Sequence, residues 1–234
     1  MLKKSIIIIT IGLIGISTIN TGCAKKEKIN PEIKKQMQRS DEMKIKRDNR
    51  SRELKEMDVK SLVKELSAES QRGLEPFNSM AYDEVISRGS KAVPELSSIL
   101  AEKPFFLGLL ALRQVNLDEY RKLNSQLRIR SLVSSLEHAK FFNAFGVPHL
   151  YWEEAAKAII DEGRGAKKYL IPLLTNKRKA PVWGSEGTII NKTYKYRVCD
   201  YAWKMLLDID KKEIQIPKSP AKRDSLIKEY INSN

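Results

Sequence analysis

Residues 81–100 read AYDEVISRGSKAVPELSSIL, and residues 155–174 read AAKAIIDEGRGAKKYLIPLL. With Gly89 placed over Gly163, Ala81 falls on Ala155, Ala92 on Ala166, Leu96 on Leu170 and Leu100 on Leu174. Val85, Ile86 and Ile99 then meet Ile159, Ile160 and Leu173. On each side of the glycine the apolar residues recur at helical spacing. The glycine itself is the residue that lets one helix end and the next begin. Each copy therefore predicts a helix, a glycine corner and a second helix, the unit from which all-α arrays are stacked. The matched positions are corner and core positions, so their recurrence is a packing demand and specifies no chemistry.

Working outward, the segment from 58 to 234 continues in the same manner. Val59, Leu62, Val63 and Leu66 predict a first helix that stops before Gly73. Pro76 opens the next, with Phe77, Met80, Ala81 and Val85 along its buried face, and Ser90 is placed to cap the helix after Gly89. Phe105–Val115 is apolar nearly all round, as expected of a helix enclosed by neighbours. A short polar helix over Leu117–Leu123 and a longer one over Leu127–Leu136 follow. Phe141–Tyr151 reads as a connection packed by its aromatics and bent at Gly146 and Pro148. Pro172 predicts a kink or early stop in the second copy. Asn176–Lys192 reads as a long loop, and helices are expected over Tyr194–Ile209 and Ala221–Ile231.

The offset from Gly89 to Gly163 is two periods of about 37 residues, and Phe105–Asn116 with Leu127–Glu137 supplies a degenerate middle copy. This spacing, together with the corner RGSKAVPEL around Gly89, resembles HEAT-repeat proteins over roughly Pro76–Leu207. The resemblance implies a short right-handed α-α superhelix. Its inner helices, here Lys91–Ala101, Leu127–Leu136 and Gly165–Thr175, or its loops would bind a protein partner.

The beginning of the chain has a different character. Lys3 and Lys4 precede the uncharged apolar run Ile6–Ile19, which ends at Thr21-Gly22-Cys23. That order is signal-peptide architecture, and the run is short for a transmembrane helix. Residues 1–22 resemble a bacterial lipoprotein signal, although Asn20 stands where an aliphatic residue is usual. The resemblance implies that Cys23 is lipidated and tethers the protein to a membrane outside the cytoplasm, in the cell envelope. Residues 23–57 are dense in charge and poor in apolar groups, which predicts a tether, partly helical at best, ahead of a helical domain over 58–234.

The formal charge of +14 would favour nucleic acid in a cytoplasmic protein. Export removes that partner and leaves anionic head groups, anionic polysaccharide, a protein, or a solvated lysine surface. With Cys23 lipidated, Cys199 has no partner for a disulfide.

No catalytic or metal constellation is legible. His138 and His149 lack ligands or a nucleophile at the required spacing, no cofactor motif is present, and Cys199 reads as a small buried residue. Glu153, Glu154 and Asp161 are the acids an envelope enzyme acting on polysaccharide would use; the helix dipole explains the first two without catalysis. The loop Lys177–Gly187 offers the strongest binding candidates: Lys177, Arg178, Lys179 and Trp183, with Tyr194, Tyr196 and Arg197 expected on the same surface. The alternative is that Trp183 tucks into the core while the cations stay solvated. The residues thus favour a membrane-anchored, non-enzymatic binding scaffold for a protein partner. The competing readings are the polysaccharide enzyme and electrostatic attachment of the tether to anionic surfaces.

Overall fold

At both corners the backbone adopts a conformation that glycine alone reaches easily. In the computed structural model, which describes residues 30–233, Gly89 has φ 55° and ψ −128°, and Gly163 has φ 57° and ψ −135°. Nothing lies within 4 Å of where a Cβ would stand at either glycine, so backbone conformation and not crowding selects the residue. The matched alanines and leucines around the corners are all buried, as are Val85 and Ile159.

The elements are α1 (Pro31–Glu56), α2 (Val59–Gln71), α3 (Met80–Arg88), α4 (Val93–Glu102), α5 (Phe106–Val115), α6 (Leu117–Lys122) and α7 (Ser125–His138). A two-residue antiparallel hairpin follows, β1 (Gly146–Val147) on β2 (Tyr151–Trp152), and then α8 (Glu154–Asp161), α9 (Arg164–Leu170), α10 (Ser185–Thr193), α11 (Val198–Ile209) and α12 (Pro220–Asn232). Apart from that hairpin the described residues form an all-α fold. The signal segment 1–22 and Cys23 lie outside the described residues. Among those described, no helix is long and apolar enough to cross a membrane.

The chain divides at Lys46 and Arg47. Residues 31–46 are the start of α1, with Ile33, Met37, Met43 and Ile45 all exposed. The segment read as partly helical at best is thus helical from Pro31, since its Lys, Arg, Glu, Gln and Met are good helix formers. The second unit begins at Arg47, ahead of Asp58. Leu54 is 1% exposed, and Arg88 donates to the carbonyls of Leu54 and of Lys55 (2.7 Å), fastening the last turns of α1 to the helices that follow.

Within this unit α5 is the central rod. Its Leu107, Leu109, Leu110 and Leu112 are buried, and it packs on α2, α3, α4, α6, α7 and α8. Pro172 acts as expected: α9 stops at Leu170 and tightens into a 3-10 turn over Ile171–Thr175, because proline cannot donate the next helical hydrogen bond. Three expectations fail. Ser90 makes no cap, since Gly89–Ala92 is a 3-10 turn running straight into α4. Phe77 leaves the core because Pro76–Asn78 is a separate 3-10 turn out of phase with α3, and Phe77 is 49% exposed. The loop 176–192 is interrupted by α10, whose Gly187 is inside the helix because a Cβ there would stand 2.4 Å from the Val182 carbonyl oxygen.

Candidate interaction surface

Trp183 is 65% exposed, and its ring stacks on Phe77 with centroids 6.4 Å apart and planes within 12°. An exposed tryptophan on a loose loop would lose much of its binding energy to ordering. This one is held by side chains on both sides. Asn143 donates through Nδ2 to the Trp183 carbonyl (2.8 Å) and accepts the Trp183 N–H at Oδ1 (2.7 Å). Asn191, on α10, does the same for Val182: it accepts the N–H at 3.0 Å and donates to the carbonyl at 2.8 Å. Two asparagine side chains therefore imitate neighbouring strands for two successive residues. The Phe142 N–H donates to the Pro181 carbonyl (2.9 Å) and ties the same loop to the aromatic connection. The Trp183 alternative, a ring tucked into the core, is not what forms.

The Phe77–Trp183 pair divides two shallow grooves. One, of about 600 Å³, is walled by Phe77, Met80, Phe141 and Trp183, with Arg47 and Asp83 at its edge. The other, of about 520 Å³, is floored by Pro76, Leu110 and Ala144 and bordered by Tyr151, Glu153 and Trp183. Tyr151 is 49% exposed; burial, and after it the negative charges of Glu153 and Glu186, push its phenol up. Glu75, which precedes Pro76 in the chain, is buried. It accepts the Ala144 N–H at 3.2 Å, beside the clamping Asn143, and desolvation raises its carboxyl to about 7.

The other sequence candidates do not share this surface. Arg178 stays exposed but donates to the carbonyls of Ala139 (2.8 Å) and Glu137, closing the C-terminal end of α7. Lys177 reaches Asp224 at 3.3 Å, and the Lys179 backbone bridges to Arg197. Tyr194, Tyr196 and Arg197 are carried away from Trp183 by α10 and join a second aromatic cluster. There His149 stacks on Tyr194 (3.9 Å between centroids) and meets the Tyr196 hydroxyl at 2.8 Å. Arg223, with no exposed surface, lies over the Tyr196 ring, donates to the carbonyls of Tyr194, Pro217 and Lys218 (each 2.8 Å) and pairs with buried Asp200. Arg197 pairs with Asp200 and Asp224, each at 2.9 Å. Of the seven loop and flank candidates, only Trp183 lies on the ridge between the two grooves. Sequence reasoning missed Phe77, Tyr151 and Asn143, which converge only through packing.

The acids considered for catalysis are mostly answered by cations. Arg113 bridges Glu154 (2.7 Å) and Asp161, and the neighbouring Glu162, which is not one of those candidates, pairs with Arg128 (2.8 Å). Burial pushes the Cys199 thiol up to about 12, which makes it a poor nucleophile. Among the described residues no cluster of His, Cys, Asp or Glu is arranged to hold a metal ion. Comparison with known protein families, curated proteins and solved structures gave no match to this chain.

Proposed function

We propose that this protein is a cell-envelope lipoprotein, anchored through lipid on Cys23, whose HEAT-like helical array is a non-enzymatic scaffold that binds a protein partner at the Phe77–Trp183 ridge. The observation that carries this reading is an exposed tryptophan whose backbone is clamped by Asn143. A fixed aromatic in partial contact with solvent pays little ordering cost on binding, and tryptophans of this kind dominate interface energies. The equivalent corner geometry at Gly89 and Gly163 supports the repeat architecture, and the Lys3–Cys23 pattern supports the anchor.

Mild cross-linking in membranes, followed by purification, tests the scaffold. A stoichiometric partner should be recovered with the parent chain and depleted at least tenfold with Trp183→Ala, a loss of about 1.4 kcal/mol or more. Recovery of the same partner at the same yield with Trp183→Ala removes the ridge from the interface. Labelling with a lipid precursor, and its loss in Cys23→Ala, tests the anchor.

A further inference from the structure

The groove beside Tyr151 has a local charge opposite to that of the chain. The protein carries +14 overall, yet the acids that line this groove are Glu153 and Glu154, and Glu186 is close enough to act on Tyr151. Glu154 is neutralised by Arg113 and Lys157 (3.0 Å). Glu153 and Glu186 make no ion pair among the described residues. Glu153 occupies the N-cap of α8 without a side-chain cap bond, and Glu186 lies in the first turn of α10, so both helix ends favour negative charge there. The result is an uncompensated carboxylate on the groove that Tyr151 and Trp183 share, Glu153, and a second, Glu186, close to the exposed Tyr151.

We infer that this groove receives a lysine or arginine side chain from an extended stretch of the protein partner, its charged head set against the rings of Tyr151 and Trp183 and between Glu153 and Glu186. The inference rests on the ridge being the partner-binding surface and adds the chemistry of what binds. Aromatic faces and carboxylates attract the same kind of group, a cation. The floor is of another kind: Pro76, Leu110 and Ala144 present apolar surface. A long aliphatic stem on that floor with a cation at its tip matches both parts of the groove. A purely apolar occupant would desolvate two carboxylates without compensation, and an anionic one would be repelled.

Titration of the full chain with short acetylated, amidated peptides tests this, read on the indole N–H signal of Trp183 by NMR. The probes are Gly-Gly-Arg-Gly-Gly and its analogues with norleucine or glutamate at the centre. The arginine peptide should shift the Trp183 indole and the Tyr151 ring, and should bind at least about fivefold tighter than the norleucine peptide, with no response to the glutamate peptide. Glu153→Gln combined with Glu186→Gln should bring arginine binding down to the norleucine level; both side chains are on the surface, so the fold is retained. Equal binding of arginine and norleucine overturns the cationic assignment. So does arginine binding that the double variant leaves unchanged, or the absence of any shift up to about 20 mM peptide. Partner capture separates the two levels. Capture lost in Trp183→Ala but intact in the double variant overturns this inference and leaves the ridge standing, whereas capture insensitive to Trp183→Ala removes the ridge itself.

Discussion

Two aromatic clusters sit in the same helical unit, and they differ in where their hydrogen bonds go. In the cluster of His149, Tyr194 and Tyr196, the Tyr196 hydroxyl bonds to the His149 ring, Arg223 lies over the Tyr196 ring and donates to the Tyr194 carbonyl, and Tyr196 is 3% exposed. In the cluster of Phe77, Tyr151 and Trp183, the fixing bonds run through the Trp183 backbone, and all three rings remain about half exposed or more. The first arrangement uses its polar groups to hold α11 and α12 together. The second spends polar groups on posture and leaves the rings free. An aromatic within four residues of a basic one in sequence is common to both, Trp183 after Lys179 and Tyr196 before Arg197, so composition alone does not separate them. The backbone clamp does.

The comparison breaks first at Arg223. If the inner cluster is structural, Arg223→Met should cost about 3–5 kcal/mol in denaturant unfolding, because Asp200 loses a buried counter-charge and three carbonyls lose their donor. A loss below about 1 kcal/mol would mean that the cluster is open to water and no more structural than the ridge.

Glu75, which precedes Pro76 and Phe77 and accepts the Ala144 N–H, tests the segment that carries the outer cluster through pH. Its carboxyl, raised from 4.5 to about 7 by desolvation, stays protonated in the folded chain after it has ionised in the unfolded one. The contribution is therefore fully present below pH 4.5 and is lost as pH rises through about 7. The interval corresponds to about 3 kcal/mol. Glu75→Gln removes this dependence. Unfolding from pH 4 to 8 should show the variant gaining up to about 3 kcal/mol on the parent as pH rises, and a constant difference would place Glu75 in water.

Much of the scaffold was legible and little of the surface was. Gly89 and Gly163 report backbone conformation directly, Pro172 reports a missing donor, and Phe105–Val115 reports enclosure, because each effect is local to the residues that show it. Phe77 was misplaced because helical spacing assumes one continuous helix, and the 3-10 turn at Pro76 shifts its phase. α10 was missed because Gly187 looks like a loop residue, whereas the approach of the Val182 carbonyl demands it inside a helix. Tyr194 and Tyr196 are near Trp183 in sequence, but α10 stands between them. Phe77, Asn143, Tyr151, Glu153 and Trp183 belong to four separate segments, and no window of sequence contains their meeting. Glu153 reads from the sequence as a catalytic candidate, whereas its context is an exposed groove in which it makes no ion pair among the described residues.

The smallest stability effects separate the clusters most sharply. Asn143→Ala removes two hydrogen bonds to the Trp183 backbone and should cost about 1–2 kcal/mol. Trp183→Ala gives up one solvent-exposed stack on Phe77 and should cost less than about 1 kcal/mol. Partner capture should rank the two variants the other way. Trp183→Ala removes the contact, whereas Asn143→Ala keeps the ring and adds an ordering cost of about 0.5–1 kcal/mol, a loss of roughly twofold to fivefold. That inversion is the mark of a residue kept for binding and of another kept to hold it. If Trp183→Ala instead destabilises the fold by more than about 2 kcal/mol, the ring is serving the core, and the two clusters are the same kind of object.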